Sequence, residues 1–425
     1  MDERAMCVFR WGIRARGRAY SLAGLEAKGA MRRPGCIGLI LWAAKLATAS
    51  FVAAVLVAAC GGGSGPGPNG AAFTGLAGTV KVALLLPMTA GGNTPAVAKA
   101  LKQAAELALF DFDNPSVSLV PKDTRGTPGG ARAAAESAIR DGAELIIGPL
   151  FAQEVAGAAP VARQANVPMI AFSSDEKVAG NGVYLLSFLP GRDVPRIVSY
   201  AVARGKRNFA LLIPQSPSGR LAEAAFARSV TRAGGQAVTR ASFPPNDANA
   251  ILGPVRQVAN AIKSGQQVDA LFLPTGPEAL QLLGPLLASA QVTGSRIQFI
   301  GTGQWDYPNI GRERALIGGW YAAPDPKGWR DFTGRYARTY GSTPPRIASL
   351  AYDAVSLAVS LSPNPPGQRY TATTLTRGSG FAGVDGLFRL LGDGTSQRGL
   401  AILEVREHGP QVLEPAPNSF SSAQY

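Results

Sequence analysis

From residue 80 onward the chain alternates short apolar runs with longer amphipathic ones. Residues 80–86 (VKVALLL) are apolar apart from Lys81 and are closed by Pro87, the pattern of a strand buried on both faces of a parallel sheet. Residues 94–112 then place Val97, Leu101, Ala105, Ala108 and Phe112 close to one helical face. The same rhythm predicts strands at 117–120, 143–148, 168–172 and 184–188, with helices at 129–140 and 153–165 between them. A second cycle follows, with helices at 193–204, 219–233, 248–264 and 278–290 and strands at 208–213, 236–243, 270–273 and 298–301. The last part differs: helices at 329–340 and 348–361 precede apolar runs at 386–391 and 399–406, which flank Gly392-Asp393-Gly394, a hairpin signal.

Alternating strand and helix with short turns predicts an α/β protein with mostly parallel sheets. Residues 79–425 exceed one ordinary core, so two lobes are expected, each a sheet flanked by helices. The boundaries read as a first lobe at 79–192, a second at 193–318, a return to the first at 319–370, a terminal hairpin of the second at 371–409 and a tail at 410–425. Such a topology places a cleft at the carboxyl ends of two sheets, where open α/β sheets take their ligands.

Upstream, the run 46–60 (LATASFVAAVLVAAC) is too short for a stable transmembrane helix and ends in small residues before Cys60. It reads as an export signal, against the alternatives of an ordinary secretory signal or a single membrane anchor. Val57-Ala58-Ala59-Cys60 resembles the bacterial lipobox, which implies lipidation at Cys60 and a periplasmic, lipid-anchored protein. Gly61 after the cysteine is not the Asp that commonly retains such proteins in the inner membrane, which favours the outer one. The Gly/Pro-rich stretch 61–78 has the composition of a flexible tether. Met31, followed by Arg32 and Arg33, is a better start than Met1, and residues 1–60 are set apart from the fold as leader and signal.

The formal charge of +14 is misleading as a sign of nucleic-acid binding. Nine basic and three acidic residues precede Cys60, so the leader carries +6 and the remainder +8, scattered without a basic block or interleaved aromatics. Contact with the membrane is expected through the lipid anchor only, and no nucleic-acid partner. Cys7 and Cys36 lie in the leader, so beyond Cys60 no disulfide, cysteine metal site or thiol nucleophile is available. His408, the single histidine, sits in a terminal turn, a poor place for triad chemistry. No phosphate-cradling or dinucleotide fingerprint occurs. The expectation is a non-enzymatic protein with no cofactor and no metal. Trp329, Phe332, Tyr336 and Tyr340, at helical spacing, read as packing rather than ligand stacking. Asp111, Asp113 and Asn114 read as a helix end rather than a calcium loop.

Five segments carry a family resemblance: VKVALLLPMTA with AAELALFDFDN, VSLVPKDTRGTPGGA, DGAELIIGPLFAQEV, ANVPMIAFSSDEKVA and FAGVDGLFRLLGDGTSQRGLAILEV. In order and spacing the chain resembles type I periplasmic binding proteins, the branched-chain amino acid and amide receptors of ABC transporters, over about 79–409. The stretch GPLFAQEVAGAAPVARQANVPMIAFSSD is also similar to the penicillin-binding protein activator lipoproteins, which share the domain and act on peptidoglycan synthases.

The resemblance implies a ligand held by hydroxyls and backbone N–H groups at strand ends, near helix N-termini. Gly148-Pro149-Leu150 is intact, but Phe151, Ala152 and Gln153 follow where the family often has Ser or Thr. Ser173, Ser174 and Asp175 supply a second loop; the serines suit ligand contact and helix capping alike. Ser218 stands where the receptors close a tyrosine over the ligand, and Thr275 follows the strand at 270–273. Asp306 or Asp175 would have to pair with a ligand amine, since a buried unpaired ammonium costs several kcal/mol. Trp305 could pack across the cleft mouth. The implied partners are a small ligand, an amino acid, amide or cell-wall fragment, and either an ABC permease or a peptidoglycan synthase.

Overall fold

Apolar runs without a polar side are stable only in a sheet covered on both faces, and both lobes supply such a sheet. The computed structural model describes residues 79–112, 116–245 and 247–421. The leader, the tether and Cys60 lie outside the described residues, as do Asp113 and Asn114. Among the described residues no helix is long and apolar enough to cross a membrane.

In the first lobe β1 (Val80–Leu86), β2 (Val117–Asp123), β3 (Leu145–Ile147), β4 (Met169–Ala171) and β5 (Val183–Leu185) form a parallel sheet in the order β2-β1-β3-β4-β5. The pleat sends alternate residues of β1 to opposite faces. Ala83 and Leu85 pack under α2 (Pro128–Arg140) and α3 (Ala152–Gln164), while Val82, Leu84 and Leu86 face α1 (Thr94–Phe110). Lys81 is the one exposed residue of that strand.

The second lobe runs α4 (Val194–Ala203), β6 (Asn208–Pro214), α5 (Pro217–Arg232), β7 (Gln236–Phe243), α6 (Ala248–Lys263), β8 (Ala270–Leu273), α7 (Pro277–Ser289), β9 (Gln298–Gly301) and β10 (Trp320–Ala323). Its β6 splits its side chains in the same way, Phe209, Leu211 and Ile213 to one core and Ala210 and Leu212 to the other. The helix α6 continues through Gly253 and Pro254, as expected.

After β10 the chain returns to the first lobe with α8 (Pro326–Tyr340) and α9 (Ala348–Leu361). Small residues on both sides, Ala98, Ala104, Ala105 and Ala108 facing Ala351, Ala354 and Ala358, let α9 lie closely along α1. Phe332 and Tyr336 are buried in that core, with Trp329 and Tyr340 packed against it, the packing role read from their spacing.

The end of the chain differs from the expected hairpin. A short helix α10 (Ala372–Leu375) leads to a small antiparallel sheet of β11 (Phe381–Gly383), β12 (Gly386–Leu390) and β13 (Ser396–Arg398), whose Phe381, Phe388 and Leu390 join the first lobe's core. Gly392-Asp393-Gly394 therefore joins β12 to β13 and not to 399–406. Its turn is held by Thr395, whose N–H and hydroxyl both donate to Asp393 Oδ1, and by Leu185 N–H donating to Gly394 O at 2.7 Å. From Gly399 the chain leaves for the second lobe, because Ala401, Ile402 and Leu403 fill the cores there. As β14 (Ala401–Glu404) it pairs antiparallel with β10, and β15 (Gln411–Glu414) closes the order β15-β14-β10-β9-β8-β6-β7.

The backbone thus passes between lobes three times: at 186–193, at 324–325 and at 399–400.

Candidate functional site

The three crossings meet at a cavity of about 420 Å³ between the lobes. The first crossing lines it from Ser187 to Asp193, the second at Pro324 and the third from Ser396 to Leu400. The second lobe adds Ser218 and Ala222 of α5 and the turn after β9, including Thr302, Gly303, Gln304 and Asp306. The first lobe adds Arg346, from the loop between α8 and α9.

The turn after β9 takes its shape from one aromatic ring. Trp305 is fully buried in the second lobe, its Nε1–H donating to Leu273 O at 3.1 Å and its ring tilted against Tyr321. A Cβ on Gly301 would stand 2.1 Å from that ring, so only glycine leaves room for it. With Trp305 anchored inward, Asp306 is turned toward the cavity. The sequence allowed Trp305 at the cleft mouth; the ring is a core residue instead, seated over Gly301 and held by its bond to Leu273 O.

Charged groups converge around the cavity. Arg346 Nη2 lies 3.6 Å from Asp306 Oδ2 across the lobes. Its Nη1 lies 2.5 Å from the fully buried Asp385 Oδ1, an ionic contact without hydrogen-bond alignment. The guanidinium stacks over Trp329 at 4.5 Å and Phe188 at 5.1 Å. Arg398 also lies over Phe188, 5.1 Å from the ring, and 3.7 Å from the fully buried Asp353. Asp353 accepts from Val384 N–H at 2.6 Å, and Asp385 accepts from Ser349 Oγ at 2.6 Å. Asp193, at the end of the first crossing, accepts from Gly303 N–H and so ties that crossing to the second lobe.

Burial dominates the titration of these carboxyls. It raises Asp353 to about 7, with Asp385 beside it pushing the same way and Arg398 opposing. Burial raises Asp193 to about 6 against the backbone N–H groups that hold its charged form. Asp306 is raised by burial and by Asp385, with Arg346 pulling it down. Thr302 Oγ1, also buried at the cavity, has no hydrogen-bond partner among the described residues. A polar, partly uncompensated cavity between two lobes suits a small polar ligand that supplies the missing partners.

Of the residues singled out from sequence, Ser218 and Asp306 line this cavity, and Ser218 Oγ lies 3.1 Å from the α5 capping residue Ser216. The others stand at strand ends off it. Gly148 turns the chain after β3 with φ 89°, where a Cβ would meet Leu85 O at 2.2 Å. Phe151 then donates its N–H to Glu154 at 2.9 Å, Ala152 opens α3, and Gln153 reaches Gly126 O at 3.0 Å. Ser173 is buried and accepts from Asp175 N–H at 3.1 Å; Asp175 accepts from Lys177 N–H at 3.1 Å, a capping bond; Ser174 is exposed. Thr275 is buried just past β8. Sequence reading missed Arg346, Arg398, Asp193 and Phe188. One signal was present: Asp353 is a lone carboxylate inside the apolar helix ASLAYDAVSLAVSL, which demands a buried partner.

The family model described as periplasmic binding protein matches residues 79–410. Leu/Ile/Val-binding protein homolog 6 of Brucella melitensis biotype 1 is 25% identical over 261 residues, 58% of this chain and 64% of that protein. Penicillin-binding protein activator LpoA of Klebsiella pneumoniae is 24% identical over 231 residues, 48% of this chain and 30% of that protein. The chain thus spans less than two thirds of the length of these relatives. Among solved structures, a putative branched-chain amino acid ABC transporter from Rhodospirillum rubrum superposes with a TM-score of 0.69 at 20% identity, covering 79% of this chain and 100% of that one. An ABC transporter substrate-binding protein from Desulfitobacterium hafniense in complex with Leu gives 0.58 at 18% identity, covering 79% and 99%. These likenesses share the two-lobed fold.

Proposed function

The chain belongs to the periplasmic binding protein family, and from that premise we propose that it is a periplasmic solute receptor that takes an amino acid or amide between its lobes and presents the closed form to the permease of an ABC importer. The observation that carries this reading is the cavity at the three crossings, walled by both lobes and bridged by Arg346 and Asp306. A ligand there would change its contacts whenever the lobes move, which is the differential affinity that a hinge receptor requires. Ser218 and Asp306 are its first polar contacts, with Asp306 as partner of an amine. Phe151, Ala152, Gln153, Ser173, Ser174, Asp175 and Thr275 stand at the carboxyl ends of their strands, outside the cavity lining, and in this reading are peripheral to the ligand. A lipid on Cys60 would tether the receptor to the envelope, on the outer membrane by the Gly61 argument.

A second reading, an activator of a peptidoglycan synthase that takes a cell-wall fragment or nothing in its cleft, is favoured by the absence of a hydroxyl at 151–153 and by Ser218 in place of an aromatic. A thermal-shift screen separates the two. A receptor gains about 2.7 kcal/mol at a ligand concentration about 100 times Kd. An amino acid or amide that raises the melting temperature supports solute capture; no shift from any, with a shift from muropeptides or none, supports the activator.

A further inference from the structure

A second groove, of about 400 Å³, shares Pro190, Gly191, Arg192, Ser396 and Arg398 with the cleft cavity and runs between α5 and the β12–β13 hairpin. Along α5 it meets Leu221, Ala225, Arg228 and Arg232, a stripe at helical spacing. Arg192 and Arg398, the latter facing the buried Asp353 from the cleft side, line its base, with Glu176 as the acidic lining residue. Glu176 is already engaged, accepting two bonds from Arg192 at 2.9 Å each. Arg228 and Arg232, both exposed and one turn apart, have no ion-pair or hydrogen-bond partner among the described residues. Two like charges at that spacing repel, and an anion placed between them removes the repulsion.

We propose that this groove is a binding site for a small soluble anion carrying two or more carboxylate or phosphate groups. Guanidinium groups present planar, bidentate donors matched to both acids. Side chains four residues apart on a helix stand about 6 Å apart, a spacing that two acid groups of one short ligand can span. Leu221, 47% exposed, gives the ligand's carbon skeleton an apolar floor. Because the walls converge from both lobes, the groove admits a small molecule more readily than a flat bilayer surface. The proposal stands apart from the cleft reading, since none of its arguments uses a cleft ligand.

The test is isothermal titration of the purified protein with citrate and with pyrophosphate at low ionic strength. The pair Arg228→Ala/Arg232→Ala is compared with Arg256→Ala/Lys263→Ala on α6, which removes the same charge elsewhere. Saturable binding of either probe by the parent and the α6 pair, weakened about tenfold or more in the α5 pair, is the expected result. Should the α5 pair lower the melting temperature, Arg228→Gln/Arg232→Gln is read in its place. No binding of either probe, equal affinity in the α5 pair, or equal weakening in both pairs overturns the proposal. So does capture of the protein by phosphatidylglycerol vesicles through Arg228 and Arg232 when neither soluble probe binds.

Discussion

Replacing Arg346 by Met removes the cation that, among the described residues, faces both Asp385 and Asp306, while keeping much of the side chain's length. In the native structure Arg346 stands 2.5 Å from a carboxylate with no exposed surface and 3.6 Å from the second lobe's Asp306. Without it Asp385 is buried beside Asp353 with Ser349 as its remaining hydrogen-bond donor. Breaking one partner of a buried pair costs about 3–5 kcal/mol, chiefly because the surviving charge is uncompensated. At about 2 °C per kcal/mol for a chain of this size, Arg346→Met should melt roughly 6–10 °C below the parent by calorimetry at pH 7. The double variant Arg346→Met/Asp385→Asn removes both charges and should recover most of that loss, since replacing both partners of a buried pair is often close to neutral. A single variant within about 1 °C of the parent, or a double variant no better than the single, would refute the assignment of Arg346 as the counter-charge of this cluster.

Further outcomes follow from the same cluster and from the proposed anchor. Asp353, at about 7 in the folded state, and Asp193, at about 6, both lie above the unfolded carboxyl value, so the native state binds more protons and loses stability as pH rises through those values. Melting temperature should therefore fall from about pH 4 and level off above about pH 7, and the slope should flatten in Asp353→Asn; equal slopes would remove Asp353 from the account. Asp306→Asn should weaken a ligand found in the screen about tenfold while Kd changes little in Gln153→Ala, measured by titration; hydrogen bonds to a charged group contribute about 1.5–3 kcal/mol. Cys60→Ser should release the protein from membranes after a salt wash, because stable anchoring takes two or more acyl chains; retention would refute lipidation there.

The elements that sequence predicts well are those whose pattern is local. The run VKVALLL is apolar throughout because α1 and α2–α3 cover opposite faces of β1, and that condition is written in the residues themselves. By contrast β10 is four residues between Gly319 and Pro324, too short for any periodicity to separate strand from loop. The fate of 399–406 depends on β10 as its partner some eighty residues earlier, and a hairpin signal at 392–394 outweighs that in a local reading. At the site, Ser218 and Asp306 are legible because they follow strands of the second lobe. Arg346, Asp385 and Asp193 are not, because each contact joins distant segments that only the three crossings bring together. Trp305 was legible as an aromatic near the cleft but not as its support, since only the bare Cα of Gly301 shows which way the ring turns.

The central claim, that a small solute is captured between the lobes at the three crossings, is tested most directly by a crystal structure of the protein with a ligand identified in the thermal-shift screen. The account predicts that ligand in the cavity beside Ser218, Asp306 and Arg346, touching residues of both lobes. A ligand bound to one lobe alone, or outside that cavity, would contradict it.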